Sequence, residues 1–154
     1  MQLAVAELGV QGVRMHGVLD DDMSVAKCTD PSPNASAGSG CYSFYNVDRV
    51  YDFLLSVGVR PIVELSFMPK ALAKCSDTCD PGASKNGSCI ICTPKFGDGG
   101  SYKGLAQPPA DFNDWYNLVH ALATHMVNRH GLAEVSTWHW EVWSEHTITP
   151  TFAP

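Results

Sequence analysis

Three features of the 154-residue chain predict an α/β fold with a parallel sheet. Runs rich in β-branched and aromatic residues stand at Gly12 to Leu19, Arg60 to Phe67 and Thr137 to His146. Two stretches with apolar residues at helical spacing, beginning near Asn46 and Asp111, lie between them. Strands and helices in strict alternation imply right-handed crossovers that join parallel neighbours.

Residues 1 to 8 read as the end of a helix, with Gly9 as its stop. The first strand runs into the acidic turn Asp20-Asp21-Asp22, and the Pro- and Gly-bearing stretch from Ser24 to Gly40 is an irregular surface loop. Val47, Val50, Tyr51, Leu54 and Leu55 form the apolar stripe of the next helix, with Asn46 placed to cap its start and Gly58 its end. In the second strand Pro61 falls among the first positions, where a missing backbone donor does least harm. Residues 74–109 are rich in Gly, Pro, Ser and Cys and too long for an ordinary connection, so they are expected to be an insertion without regular elements. From Asp111 a second helix carries Trp115, Leu118, Val119, Leu122 and Met126 on one stripe and ends at Gly131. The third strand follows directly. Neither an internal repeat nor a separate second domain is visible, so residues 1–154 read as one domain with the 74–109 insertion inside it.

A hydrophobic fraction of 45% and a charged fraction of 17% suit a globular chain able to bury a core. The net charge of -6, with Lys and Arg scattered, offers neither a basic stripe for nucleic acid nor a polybasic membrane patch. No apolar run approaches the ~20 residues of a membrane span. The N-terminus lacks the charged and apolar regions of an export signal. Against that, the sequons at Asn34 and Asn86 and six cysteines suggest a secreted or secretory-pathway protein whose signal lies outside this sequence.

The stretch Thr137 to His146 concentrates the chemistry, with three tryptophans and two carboxylates in a strand where Glu141, Trp143 and Glu145 share one face. Desolvation beside indole surface raises a Glu pKa toward the range where it donates a proton near neutral pH, and Trp143 offers a platform for a sugar. The alternative is that Glu145 merely ends a strand whose tryptophans are core. His16, before Gly17, is either a ligand contact or a hydrogen-bonded core histidine, and Glu64 is an in-strand carboxylate that needs a partner, for which Arg14 is the candidate. Asp21 and Asp22 lack a third ligand by spacing, so no metal site is expected. Cys75, Cys79, Cys89 and Cys92 are spaced too irregularly for a four-thiolate zinc site and favour disulfides, with Cys28 and Cys41 as a possible third bridge. There is no serine nucleophile elbow, phosphate-cradling glycine loop or metal-binding helix motif.

Four blocks together resemble glycoside hydrolase family 39, the family of β-xylosidases and α-L-iduronidases. They are Val13-Arg14-Met15-His16-Gly17 with Asp21 to Val25; Tyr51 to Leu55; Arg60-Pro61-Ile62-Val63-Glu64-Leu65-Ser66-Phe67-Met68-Pro69; and Trp140-Glu141-Val142-Trp143-Ser144-Glu145. The resemblance implies a (β/α)8 TIM barrel, a retaining mechanism and a site at the C-terminal ends of the strands. In the family the last block ends in Asn-Glu-Pro, so Glu145 matches the acid/base, while Ser144 replaces an Asn that binds the sugar 2-hydroxyl and His146 replaces the Pro. His16 matches a substrate-contacting histidine. The family's nucleophile belongs to a strand well beyond Glu145, and a full barrel takes roughly 250 residues. The sequence therefore reads as a partial barrel that needs the remainder of the domain to complete a two-carboxylate cycle.

The reading that follows is a piece of a secreted, cofactor-free retaining glycosidase acting on β-xylosides or related glycosides. Glu145 is its acid/base, and His16, Trp143, Ser144 and Glu64 are its sugar-binding residues. The alternatives are a non-catalytic carbohydrate-binding derivative and a disulfide-stapled structural or interaction module.

Overall fold

The computed structural model describes residues 5, 7–27, 41–74 and 108–142. Its sheet has three parallel strands in the order of the chain: β1 (Gly12–Met15), β2 (Arg60–Glu64) and β3 (His139–Glu141). Helix α1 (Tyr45–Ser56) connects the first pair; α2 (Phe112–His130) and the short α3 (Leu132–Val135) precede β3. The expected alternation is therefore present, and the described part of the chain is an α/β fold.

Val5, Glu7 and Leu8 are helical, and Gly9 closes that turn at φ +66° with its N–H on the Val5 carbonyl. β1 is shorter than the run Gly12 to Leu19. Gly17 takes φ +85° and turns the chain, while Val18 and Leu19 are buried beyond the strand. A 3-10 turn at Asp21–Met23 follows, capped by the Asp20 carboxylate. Asn46 does not cap α1. It lies inside the first turn and its amide donates to the Met23 carbonyl at 3.2 Å, which ties the helix start to that acidic turn. α2 starts as expected, with the Asp111 carboxylate accepting the Asn113 N–H at 2.7 Å.

Register places the two faces of the sheet. Arg14 pairs with Ile62, Ile62 with His139 and Glu64 with Glu141, so these side chains share one face with His16. Val63 points the other way into the core, where α1 contributes Val47, Tyr51 and Leu54 and α2 contributes Leu118, Ala121, Leu122 and Met126. Trp138 belongs to this core, 5% exposed and edge-on to Tyr51 at 5.6 Å between centroids. Its indole N–H donates to Glu134, which Arg60 also holds.

The helices are also joined by charge. Asp48 and Asp52, one turn apart on α1, meet His125 and Arg129, one turn apart on α2. Arg129 hydrogen bonds hold the Asp52 carboxyl below its ordinary value, and Arg60 does the same to Glu134. Burial pushes the neighbouring His130 imidazole down from 6.5. All three shifts are downward, so each contributes stability at pH values above the unfolded pKa that is lost as pH falls through the folded one. Urea midpoints are expected to stay level between the ordinary imidazole value of 6.5 and the ordinary phenol value of 10.0, to fall on the acid side first through protonation of His130, and to fall again below the ordinary carboxyl values of 3.8 and 4.5. A His130→Gln variant should lack the first decline.

Tyr51 is fully buried, its hydroxyl has no hydrogen-bond partner among the described residues, and burial drives its pKa upward. Tyr51→Phe removes only an unpaired polar group, so the expected change in urea stability is within ~1 kcal/mol of zero or slightly favourable. Leu122→Ala, which opens a cavity at a fully buried site, is expected to cost about 2–5 kcal/mol.

Candidate active site

The C-terminal ends of the three strands meet in a small polar cluster. Parallel neighbours point paired residues to the same side, so β1 supplies Arg14 and, one residue past its end, His16; β2 supplies Glu64; β3 supplies Glu141. Arg14 spans the gap: its Nε donates to Glu141 Oε2 at 2.7 Å and its Nη2 to Glu141 Oε1 at 3.0 Å. The same Nη2 stands 3.0 Å from Glu64 Oε2. The fork of the guanidinium thus serves two carboxylates on two strands.

Glu64 is fully buried, and Arg14 is the partner that burial required. Ser66 Oγ donates to Glu64 Oε1 at 2.6 Å, and His16 Nδ1 lies 2.8 Å from the carboxylate. The Phe67 ring meets the His16 imidazole edge to face at 4.7 Å, just after a cis Ser66-Phe67 peptide. Backbone bonds lock this corner: the Leu19 N–H donates to Ser66 O and the Leu65 N–H to Glu141 O, each at 2.8 Å. Glu141 is more open, its side chain 38% exposed. Hydrogen bonds from Arg14, reinforced by the guanidinium charge, hold its carboxyl below the ordinary range, so Glu141 stays an anion rather than a proton donor near neutral pH.

Both long connections spring from this end of the sheet, and their bases are closed. The Lys27 N–H donates to Cys41 O at 2.7 Å and the Ser43 N–H to Val25 O at 2.9 Å, on either side of residues 28–40. The Lys74 N–H donates to Pro108 O and the Ala110 N–H to Leu72 O, both at 2.8 Å, on either side of residues 75–107.

A strand-end cluster of this composition on an α/β scaffold fits the comparison with known families. The family model "Glycosyl hydrolases family 39" matches residues 1–81 and 97–151. The chain belongs to glycosyl hydrolase family 39. Among curated members it is 37% identical over 146 residues to a β-xylosidase of Caldicellulosiruptor saccharolyticus and 31% identical over 148 residues to one of Geobacillus stearothermophilus. These alignments cover 95% and 96% of the chain but 25% of each relative, so the chain spans about a quarter of their length. Among solved structures, a family 39 β-xylosidase from Caulobacter crescentus superposes with a TM-score of 0.68, and a family 39 enzyme from Xanthomonas axonopodis pv. citri with 0.67. Each is 28% identical and is matched over 94% of this chain, which corresponds to 26% and 23% of theirs.

Of the residues singled out in the sequence, His16 and Glu64 are brought together. Trp143, Ser144, Glu145 and His146 lie outside the described residues, as do Asn34, Asn86 and every cysteine except Cys41. β3 ends at Glu141, earlier than the expected strand through His146. Glu141 itself, weighed only as a neighbour of Glu145, proves to be the second carboxylate on Arg14; the shared parity of Glu64 and Glu141 in adjacent strands was the available signal. Asp21 accepts the Lys70 N–H at 3.1 Å. Among the described residues no three His, Cys, Asp or Glu side chains are grouped to hold a metal ion, and no helix is long and apolar enough to cross a membrane.

The two arms of the Arg14 bridge differ in burial and hence in worth. Arg14→Leu strands the enclosed Glu64 carboxylate and is expected to cost about 3–5 kcal/mol. Glu141→Gln weakens only the exposed arm and is expected to cost less than about 1 kcal/mol. Urea titration of both variants checks the contrast, and equal losses would refute it.

Proposed function

We propose that this chain carries part of the active site of a retaining β-xylosidase or related glycosidase. The observation that carries the reading is the Arg14, His16, Glu64 and Glu141 cluster at the C-terminal strand ends of a family 39 chain. That is the end of a (β/α)8 barrel where active sites lie. The helices on one face of the sheet and the polar cluster on the other support a barrel wall, with its mouth at these strand ends.

Glu145 is the proposed acid/base and follows four residues after Glu141, the last residue of β3. It protonates the leaving oxygen and then, as a carboxylate, draws a proton from the attacking water. Arg14 and Glu141 anchor the strand that delivers it, and His16 faces the sugar with Trp143 and Ser144. The nucleophile is supplied by a later strand of the domain. Ser144 in place of the family's Asn shortens the reach to the 2-hydroxyl, so slower turnover than in the named relatives is expected.

The setting is proposed to be the secretory pathway. Cys41 is disulfide-bonded, and with the Asn34 and Asn86 sequons this supports an oxidising compartment. The Lys27 N–H donates to Cys41 O, so Cys41 is hydrogen-bonded to the residue that precedes Cys28 in sequence, which supports their pairing. The family match breaks over residues 82–96, which supports reading 74–109 as an insertion.

The test is hydrolysis of an aryl β-xyloside by the full-length product of the gene, with and without Glu145→Gln. Loss of the acid/base should reduce turnover by about 10²–10⁴-fold. Added azide should restore part of it by attacking the glycosyl-enzyme in place of activated water. An unchanged rate in the variant would remove Glu145 from the mechanism; sugar binding without hydrolysis would point to a non-catalytic derivative.

A further inference from the structure

Glu64 sits among the sugar-facing residues in sequence, yet it is 0% exposed and its oxygens already receive three groups. Ser66 Oγ is 2.6 Å from Oε1, Arg14 Nη2 is 3.0 Å from Oε2, and His16 Nδ1 is 2.8 Å from the carboxylate. A carboxylate enclosed and engaged in this way is shielded from direct contact with a ligand. Whatever it does for a ligand passes through a group that it holds.

We propose that Glu64 is a positioning residue that fixes the tautomer and the ring plane of His16. For its bearing on catalysis the proposal rests on the reading of His16 as a sugar contact. A carboxylate flanked by an arginine only accepts, so the imidazole nitrogen facing it carries the hydrogen. The neutral ring then bears its lone pair on Nε2. In water the neutral imidazole prefers the opposite arrangement, so the carboxylate works against the intrinsic preference of the ring. Phe67, edge-on at 4.7 Å with an interplanar angle of 87°, holds the ring plane from a second direction. Arg14 completes the device: bonded to Glu141 as well as Glu64, it prevents the Glu64 carboxylate from turning with the imidazole.

A sugar hydroxyl meeting the Nε2 lone pair is therefore recognised as a hydrogen donor. Among the described residues, Glu64 and Glu141 are charged groups that act on the ring, and Arg14 is bonded to both. Glu64 thus selects which partner His16 accepts without touching it.

Histidine 15N spectra of the chain, recorded above the imidazole titration and assigned with His16→Gln, test this. The expected result is a His16 ring protonated on Nδ1 by roughly tenfold or more over the Nε2 form, as a charge-assisted hydrogen bond implies. The double variant Arg14→Met with Glu64→Leu removes the ion pair together, so no buried charge is stranded. In it His16 should revert to the Nε2–H form while the other five of the six histidines keep their signals. An Nε2–H ring in the unmodified chain, or an Nδ1–H ring that persists in the double variant, overturns the proposal. The unmodified chain decides the matter even where the double variant does not fold. A nitrogen resonance is indifferent to turnover, so failure of the glycosidase reading and failure of this proposal are separately visible.

Discussion

One guanidinium ties the three described strands together at their polar ends. Arg14 reaches from β1 to carboxylates on β2 and β3, and one of the two is fully buried. Desolvating Glu64 is costly, so its return lies less in net stability than in specificity: a shifted register would leave the charge without its partners. Three strand ends are thereby held at one height. His16 and the segment after Glu141 both leave the sheet from that fixed platform.

The two faces of the sheet divide the labour. Behind it, Val63, Tyr51, Leu122 and Met126 form an apolar interior whose shape comes from packing. In front, Ile62 shares the face with Arg14, His16, Glu64 and Glu141, which meet through directed bonds. Period-two alternation makes this separation possible, since neighbouring residues of one strand serve opposite purposes. Val63 and Glu64 are adjacent in the chain and belong to different worlds.

Most of the scaffold was legible in the sequence. The stripes of α1 and α2, the start of α2 near Asp111 and the turns at Gly9, Gly58 and Gly131 are local patterns, and local physics decides them. The need of Glu64 for a cation was also legible, and Arg14 was the right partner. What escaped depends on contacts distant in sequence. Asn46 has the chemistry of a cap, but the Met23 carbonyl draws its amide away. α3 has no periodicity to read at four residues; Ser136 and Thr137 close it by bonding back to Ala133 and Glu134. The Arg14 to Glu141 bond spans 127 residues and needs a register that no single stretch encodes. Glu145, the residue on which the sequence reading turned, lies outside the described residues.

The closed loop bases have an evolutionary consequence. Residues 28–40 and 75–107 leave and rejoin the fold through backbone bonds that already bring their ends together. With the ends joined by the scaffold, closure entropy grows only with the logarithm of loop length. Residues can be added to or removed from these two segments at small thermodynamic penalty, while Arg14, Glu64 and Glu141 remain in place. Selection can therefore change the length of these two segments without renegotiating the charges that Arg14 joins, so the connections and the strand-end cluster are free to evolve at different speeds.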